Sequence, residues 1–246
     1  MRVTRIHVPG PLAAGTDIAL PAQAGEHLTR VLRLEAGAQF ILFDGKGGEY
    51  PATLGARDGK RVSARVLSHH AIERESPLDV TLLQGIARSE RMDLIVQKAT
   101  ELGVTRIVPV LTERSVVRVD AKQRERKHEH WHAITISACE QCGRNRVPDV
   151  ALPHALADAL VTLPPDSLRY LLATDGAEPL VTRSIQGAGP IVLLIGPEGG
   201  LTEQEIRLAQ SQGFIGRRLG PRVLRTETAG VAALAALQAS IGDFCA

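Results

Sequence analysis

The sequence predicts an α/β protein, with a small amino-terminal β domain over residues 1–72 and an α/β domain over residues 73–246. Three observations predict it. Residues 1–72 hold short apolar runs divided by glycine turns. From Leu78 onward, strand-like and helix-like runs alternate. Late in the chain two glycine-rich loops, Gly196 to Leu201 and Gly220 to Ala229, each stand between an apolar run and a helical one. Repeated βα units bury a parallel sheet and present ligands at the carboxyl ends of its strands.

The elements follow in order. Gln39 to Phe43, Glu49 to Leu54 and Arg61 to Leu67 are candidate strands, separated by Asp44-Gly45, Gly47-Gly48 and Asp58-Gly59 turns. A short helix is expected near Glu26 to Leu34, with Leu28, Val31 and Leu32 on one side. Short strands with turn glycines suggest a small barrel. The charged stretch Ile72 to Pro77 is the expected linker. Leu78 to Ala87 then reads as a strand. Ser89 is placed to cap a helix with Met92, Ile95, Val96, Ala99 and Leu102 on one face, ended by Gly103. Val104 to Leu111 is the next strand, and a long helix covers about Ala121 to Cys142. Arg169 to Ala173 and Ile191 to Ile195 are continuous apolar runs of the kind buried in parallel sheets. The last helix, Glu227 to Ile241, is apolar almost all round and is expected to be buried, in part against a second subunit.

The chain has 246 residues, 44% of them hydrophobic and only 3% aromatic, so its core must be aliphatic and an aromatic base-stacking platform is disfavoured. The net charge of +2 is unremarkable, but its distribution is uneven. Residues 1–72 carry nine Lys/Arg against six Asp/Glu, and residues 106–146 carry nine against five, surpluses that suit phosphate contacts as well as a solvated face. Cys139, Cys142 and Cys245 are too few for a disulfide framework and suit a reducing compartment. The first residues lack the apolar core of a signal peptide, and no run is long enough to span a membrane, so a soluble, cytoplasmic protein with no membrane partner is expected.

The most specific local feature is Gly196-Pro197-Glu198-Gly199-Gly200, an apolar strand running into a helix whose Thr202 and Glu205 have capping-box spacing. Glycines there let backbone groups approach a ligand closely. The second loop, Leu219 to Ala229, has the same setting, and two such loops can build one pocket. The spacing is not GxGxxG and no GxxxxGK[ST] occurs, so a nicotinamide cofactor and a P-loop are disfavoured. His128, His130, His132, Cys139 and Cys142 share one helix, but histidines two apart point in different directions, and we read no metal site there. Trp131 reads as packing.

GPEGGLTEQEI followed by LGPRVLRTETA resembles the paired signature of the SPOUT methyltransferases, and more narrowly that of the ribosomal RNA small-subunit methyltransferase E family. QGIARSERMDLIVQKATELGVTRIVPVLTERSV, EQCGRNRVPDV and HLTRVLRLEAGAQFILFDGKGGEY are similar to further segments of that family, leaving only the stretch around Ala151 to Leu168 without a match. The resemblance implies a PUA-like, RNA-binding β-barrel at 1–72 and a trefoil-knotted SPOUT domain at 73–246. It implies a homodimer that uses S-adenosyl-L-methionine to methylate N3 of a uridine in the decoding region of 16S rRNA, with the 30S subunit as partner.

Carried over position by position, the resemblance implies a cofactor site built from Ala173, Thr174, Ile195, Gly196, Pro197, Glu198, Gly199, Gly200 and Leu201. Leu219, Gly220, Leu224, Arg225, Thr226, Thr228 and Ala229 complete it. Loss of the uridine N3 proton favours a nearby cation, for which Arg225 and Arg144 are the candidates. Glu198 and Glu227 are candidate bases, although capping or ribose binding suits them better. Arg2, Arg5, Arg30, Arg33, Arg114, Arg118, Arg144 and Arg146 are the candidate RNA contacts.

Overall fold

The computed structural model describes residues 3–59, 61–115, 120–173, 178–181 and 189–245. The chain divides into two compact units. The first comprises residues 1–75 and 139–147, the second residues 76–138 and 148–246. The segment Cys139–Val147, which sequence reading assigns to the larger domain, is thus counted with the smaller one.

In the first unit, β1 (Arg5–His7), β2 (Asp17–Ala19), β3 (Gln39–Phe43), β4 (Tyr50–Asp58) and β5 (Arg61–Val66) form a sheet in the order β1-β3-β4-β5-β2. Among the described residues, only the β1–β3 pair is parallel. Alternation supplies the core: Phe40 and Leu42 of β3, Ala52 and Leu54 of β4, and Val62, Ala64 and Val66 of β5 all point inward with Leu28. The helix expected near 26–34 begins earlier, as α1 (Ala22–Glu26) after Pro21, and runs on as a π-helical turn over His27–Val31. Gly25 permits this, because a Cβ there would lie 3.0 Å from the Val62 side chain.

Residues 139–147 are held in this unit by polar contacts that are mostly buried. Arg144 pairs with Glu75 at 2.5 Å, Asn145 Nδ2 donates to Ile72 O at 2.5 Å, and Glu140 accepts from the His7 N–H at 2.9 Å. Arg5 pairs with Glu49 at 2.7 Å and also donates to Asn145 Oδ1. Arg74 reaches the same Glu49 oxygen at 2.9 Å.

The second unit is a parallel sheet. Its strands are β6 (Val80–Gly85), β7 (Arg106–Leu111), β8 (Asp149–Val150), β9 (His154–Ala155), β10 (Leu168–Leu172), β11 (Glu178–Pro179), β12 (Ile191–Ile195) and β13 (Ile215–Arg218). Their order is β11-β13-β10-β12-β6-β7-β8, with β9 also on β7. The central strands β6 and β12 are buried along their whole length, as continuous apolar runs require. The helices are α2 (Ser89–Glu101), α3 (Ala121–Cys142, counted with this unit as far as Ala138), α4 (Leu156–Val161), α5 (Glu203–Ser211) and α6 (Thr226–Ile241). One face of the sheet packs with Met92, Ile95, Val96 and Ala99 of α2 and Ala233, Leu234 and Leu237 of α6. The other packs with Leu156, Ala159 and Leu160 of α4 and Ala209 of α5. Trp131 is buried in the first of these clusters, as expected of a packing residue.

Two local expectations change. Ser89 is the first residue of α2 rather than its cap; Arg88 occupies that position in an extended conformation, with no side-chain capping bond. Thr202 does cap α5, and both halves of the capping box form: Glu205 N donates to Thr202 Oγ1 at 3.3 Å and Thr202 N to Glu205 Oε2 at 2.8 Å. Among the described residues, no helix is long and apolar enough to cross a membrane.

Candidate functional site

The two glycine loops meet over the carboxyl ends of β12, β10 and β13. The first begins where β12 ends at Ile195. The second runs from the end of β13 into α6. Between them lies a cavity of about 550 Å³.

Backbone crowding explains the glycines. A Cβ on Gly85, the last residue of β6, would lie 2.5 Å from Pro197 N and Cδ. One on Gly196 would meet the Gly200 and Leu201 backbone at 3.1–3.2 Å, and Gly200 itself has a φ of +69°. The first loop therefore folds back on itself directly against the end of β6. Arg114, in the loop after β7, pins its far side by donating to Gly199 O and Leu201 O at 3.3 Å.

Buried polar groups join the loops. Gln84 Nε2 donates to Thr226 Oγ1 at 2.9 Å, and the Thr226 hydroxyl donates to Gly196 O at 2.7 Å. Both side chains are buried, so the contact is protected from water.

Of the sequence-predicted cofactor residues, Ala173, Ile195, Gly196, Pro197, Glu198, Gly200, Leu201, Leu219, Gly220, Leu224, Arg225, Thr226 and Ala229 line this cavity. Gly199 and Thr228 do not; Gly199 is turned to Arg114, whose Cβ and carbonyl oxygen would stand 2.9 Å from an added Cβ. Thr174 lies outside the described residues. Sequence reasoning missed the apolar lining of Leu171, Leu172 and Ile206, and it missed Arg91. Arg91 Nη1 donates to Glu198 Oε1 at 3.2 Å, while its Nε stands 3.7 Å from Glu227 Oε1.

Glu198 is a poor base. Burial alone would raise its pKa, but hydrogen bonds from the Arg88 and Glu198 N–H groups and the charges of Arg91 and Arg88 outweigh it and hold the carboxyl below its ordinary value. Through the Arg88 bond, at 3.1 Å, the Glu198 carboxylate accepts from the N–H of the residue at the N-cap of α2.

The predicted arginines separate by environment. Arg225 is exposed at the N-cap of α6 and lines the cavity. Arg144 belongs to the first unit and is 4% exposed, bound by Glu75, so the structure gives it an anchoring task in place of a free catalytic or phosphate-binding charge. Arg5 is corrected in the same way: its guanidinium is committed to Glu49 and Asn145, and withdrawing it would strand a buried carboxylate. Arg30, Arg33, Arg114 and Arg146 are exposed, Arg30 beside Glu26 and Arg146 beside Glu73. Arg2 and Arg118 lie outside the described residues. The Asp93 carboxylate accepts from His130 Nε2, 2.9 Å away, and His128 stacks on His132 at 6.2 Å between centroids.

Comparison with known proteins gives a consistent result. Residues 74–238 match the RNA methyltransferase domain family, and residues 20–67 match the RNA methyltransferase PUA domain family. The ribosomal RNA small subunit methyltransferase E of Bacillus subtilis is 33% identical over 86% of this chain and 85% of its own length. A Neisseria gonorrhoeae protein of the same name, solved bound to S-adenosyl methionine, superposes with a TM-score of 0.91 at 40% identity, covering 99% of this chain and 100% of that one. A Legionella pneumophila structure, in complex with the bound cofactor SAM, reaches a TM-score of 0.94 at 40% identity over the same shares.

Proposed function

This chain belongs to the ribosomal RNA small subunit methyltransferase E family, and from that premise we propose that it uses S-adenosyl-L-methionine to methylate N3 of a uridine in the decoding region of 16S rRNA. The observation that carries the reading is the cavity between the two loops, whose lining combines close backbone approach with apolar walls.

The residues present fit the cofactor. A Cβ on Gly196 would fill the cradle between the loop's own backbone segments. Leu171, Leu172, Leu201, Leu219 and Leu224 would hold the apolar faces of the adenosine, and backbone groups of Gly196 to Leu201 and Leu219 to Ala229 its polar edges. When bound, the sulfonium supplies an activated methyl group, so the protein has to align the acceptor and manage one proton. Arg225, exposed on the cavity rim, would stabilise the charge developing on uracil as the N3 proton leaves. Ionised Glu198 is bound by Arg91 and the Arg88 N–H and is assigned no proton to carry.

The first unit, with the PUA family match, is assigned to RNA binding, using the exposed Arg30, Arg33 and Arg146. Arg114 is shared between loop support and RNA. A homodimer is supported by α6, where Thr228, Val231, Ala232, Ala235 and Ala239 leave small, accessible side chains opposite its buried face. A threaded, trefoil-knotted chain is supported by the insertion of β13, late in the sequence, between β10 and β11. We assign the protein to the cytoplasm, where its substrate would be made.

The test is direct. Small ribosomal subunits lacking the modification are incubated with the protein and labelled cofactor, and the modified nucleotide is mapped by nuclease digestion and mass spectrometry. Label on uracil N3 is the expected result; label on a ribose 2′-hydroxyl, or no transfer to any RNA, overturns the reading.

A further inference from the structure

We propose that Glu198, held by Arg91 and backed by Glu227, selects the positively charged methyl-donor form of the cofactor over its neutral thioether product. The inference rests on the functional reading above and deepens it.

Among the described residues, the cavity's charged lining consists of Arg91, Arg114, Arg222, Arg225 and Glu198. A cationic ligand group therefore meets, among the described residues, a rim of guanidinium groups and a single carboxylate. That carboxylate sits on the loop nearest the end of β12, is mostly shielded from solvent, and is ionised at neutral pH. Arg91 is shared between it and Glu227, so one guanidinium faces two carboxylates and the trio carries one net negative charge. Glu198 Oε2 and Glu227 Oε2 are both buried without a hydrogen-bond partner among the described residues. Each carboxylate thus pairs with Arg91 yet keeps one buried oxygen unbonded, which a positive ligand group nearby would stabilise.

The two forms of the cofactor differ at this point of chemistry. The donor carries a sulfonium; the product, after the methyl leaves, has a neutral sulfur and the same amino and carboxylate groups. Any charge-based preference between them isolates the sulfonium. A preference for the donor would also promote exchange of product for donor after each turnover.

Arg91 is a positioning residue in this scheme. It reaches across from α2 to the first loop and to the first turn of α6, fixing both carboxylates. Arg88 adds its backbone N–H to Glu198, and Arg114 secures the loop from the other side without touching the carboxylate.

The experiment measures dissociation constants of S-adenosylmethionine and S-adenosylhomocysteine by calorimetry for wild type, Glu198→Gln, Glu227→Gln and Arg91→Lys. Glu198→Gln is expected to weaken the sulfonium ligand by about fivefold to tenfold while leaving the thioether within about twofold. Glu227→Gln should act in the same direction with smaller size, and Arg91→Lys should largely preserve the ratio. Equal weakening of both ligands in both glutamine variants, as a purely structural role would give, overturns the proposal, and so does an unchanged ratio. Wild type that binds neither ligand would overturn the functional reading itself, an outcome separate from the behaviour of the ratio.

Discussion

The Thr226 hydroxyl donates to the carbonyl oxygen of Gly196 at 2.7 Å while accepting from Gln84 Nε2 at 2.9 Å. One buried hydroxyl thus ties the first glycine loop, the start of α6 and the end of β6. Replacing Thr226 by Val keeps the shape but leaves the Gly196 carbonyl and the Gln84 amide without this partner. The expected cost is about 1–3 kcal/mol of stability, together with weaker cofactor binding, whereas Thr226→Ser retains both. Denaturant unfolding and calorimetric titration of the two variants check this. A Thr226→Val protein with wild-type cofactor affinity would show that the linkage does not shape the cavity.

Gly85 and Gly220 offer a contrast at the same site. Gly85→Ala would drive a methyl to 2.5 Å from Pro197, against backbone that cannot swing away. Gly220 has φ +71° with open space around the position of a Cβ, so Gly220→Ala meets only backbone strain, about 1 kcal/mol. Gly85→Ala should therefore abolish cofactor binding or folding, and Gly220→Ala should leave a folded protein that still binds. Thermal unfolding with and without cofactor separates the two.

Much of this site was legible because its signals are local. Strand-to-helix glycines and the Thr202–Glu205 spacing lie within a few residues of each other, and backbone geometry alone dictates their meaning. Arg91 was not legible. Its partner Glu198 lies 107 residues away, and nothing in Ser89-Glu90-Arg91 distinguishes it from any charge in a first helical turn. The start of α2 was misplaced for a related reason: Ser89 lies inside the helix, and the N–H of the N-cap residue Arg88 is bonded by the distant Glu198 carboxylate. In the first unit, Arg5 and Arg144 read as exposed phosphate contacts because sequence gives charge without burial.

Two carboxylates of the first unit should give opposite pH signatures. For Glu49, burial raises the pKa, but the hydrogen bonds and charges of Arg74 and Arg5 outweigh it, and the folded value is lowered from 4.5. Its stabilisation is then present above the unfolded value and is lost as pH falls through the folded one. Glu140 is shifted upward from 4.5, mainly by burial, against the opposing His7 N–H bond and the charges of His27 and Arg5. Its contribution is present below the unfolded value and is lost as pH rises through the folded one. Glu49→Gln should destabilise at neutral pH and flatten the acid limb of the stability curve. Glu140→Gln, which keeps an acceptor for His7, should be neutral or stabilising at pH 7. Unfolding free energies measured from acid to neutral pH decide both signs.

The smaller unit should not fold properly from its own contiguous residues. Residues 1–75 contain Glu75, Arg5 and the Ile72 carbonyl, yet each is bonded by a group from residues 139–147: Glu75 by Arg144, Arg5 by the Asn145 carboxamide oxygen, and Ile72 O by the Asn145 amide. Arg74 likewise donates to Gly143 O at 3.2 Å. A fragment ending at residue 75 would leave these groups to water and would lose the cover that lets Glu49 and Arg5 pair in a buried setting. The fragment is expected to show a low, broad unfolding transition. A single chain in which residues 139–147 follow residue 75 through a flexible glycine–serine linker should recover a cooperative one. Amide exchange of the β3 and β4 core then supplies the check, since protection should rise in the linked chain and fall again when Asn145 is replaced by Ala. Equal protection in the bare fragment would mean that the five-stranded sheet and the Leu28–Phe40–Leu42 core suffice without the distant segment.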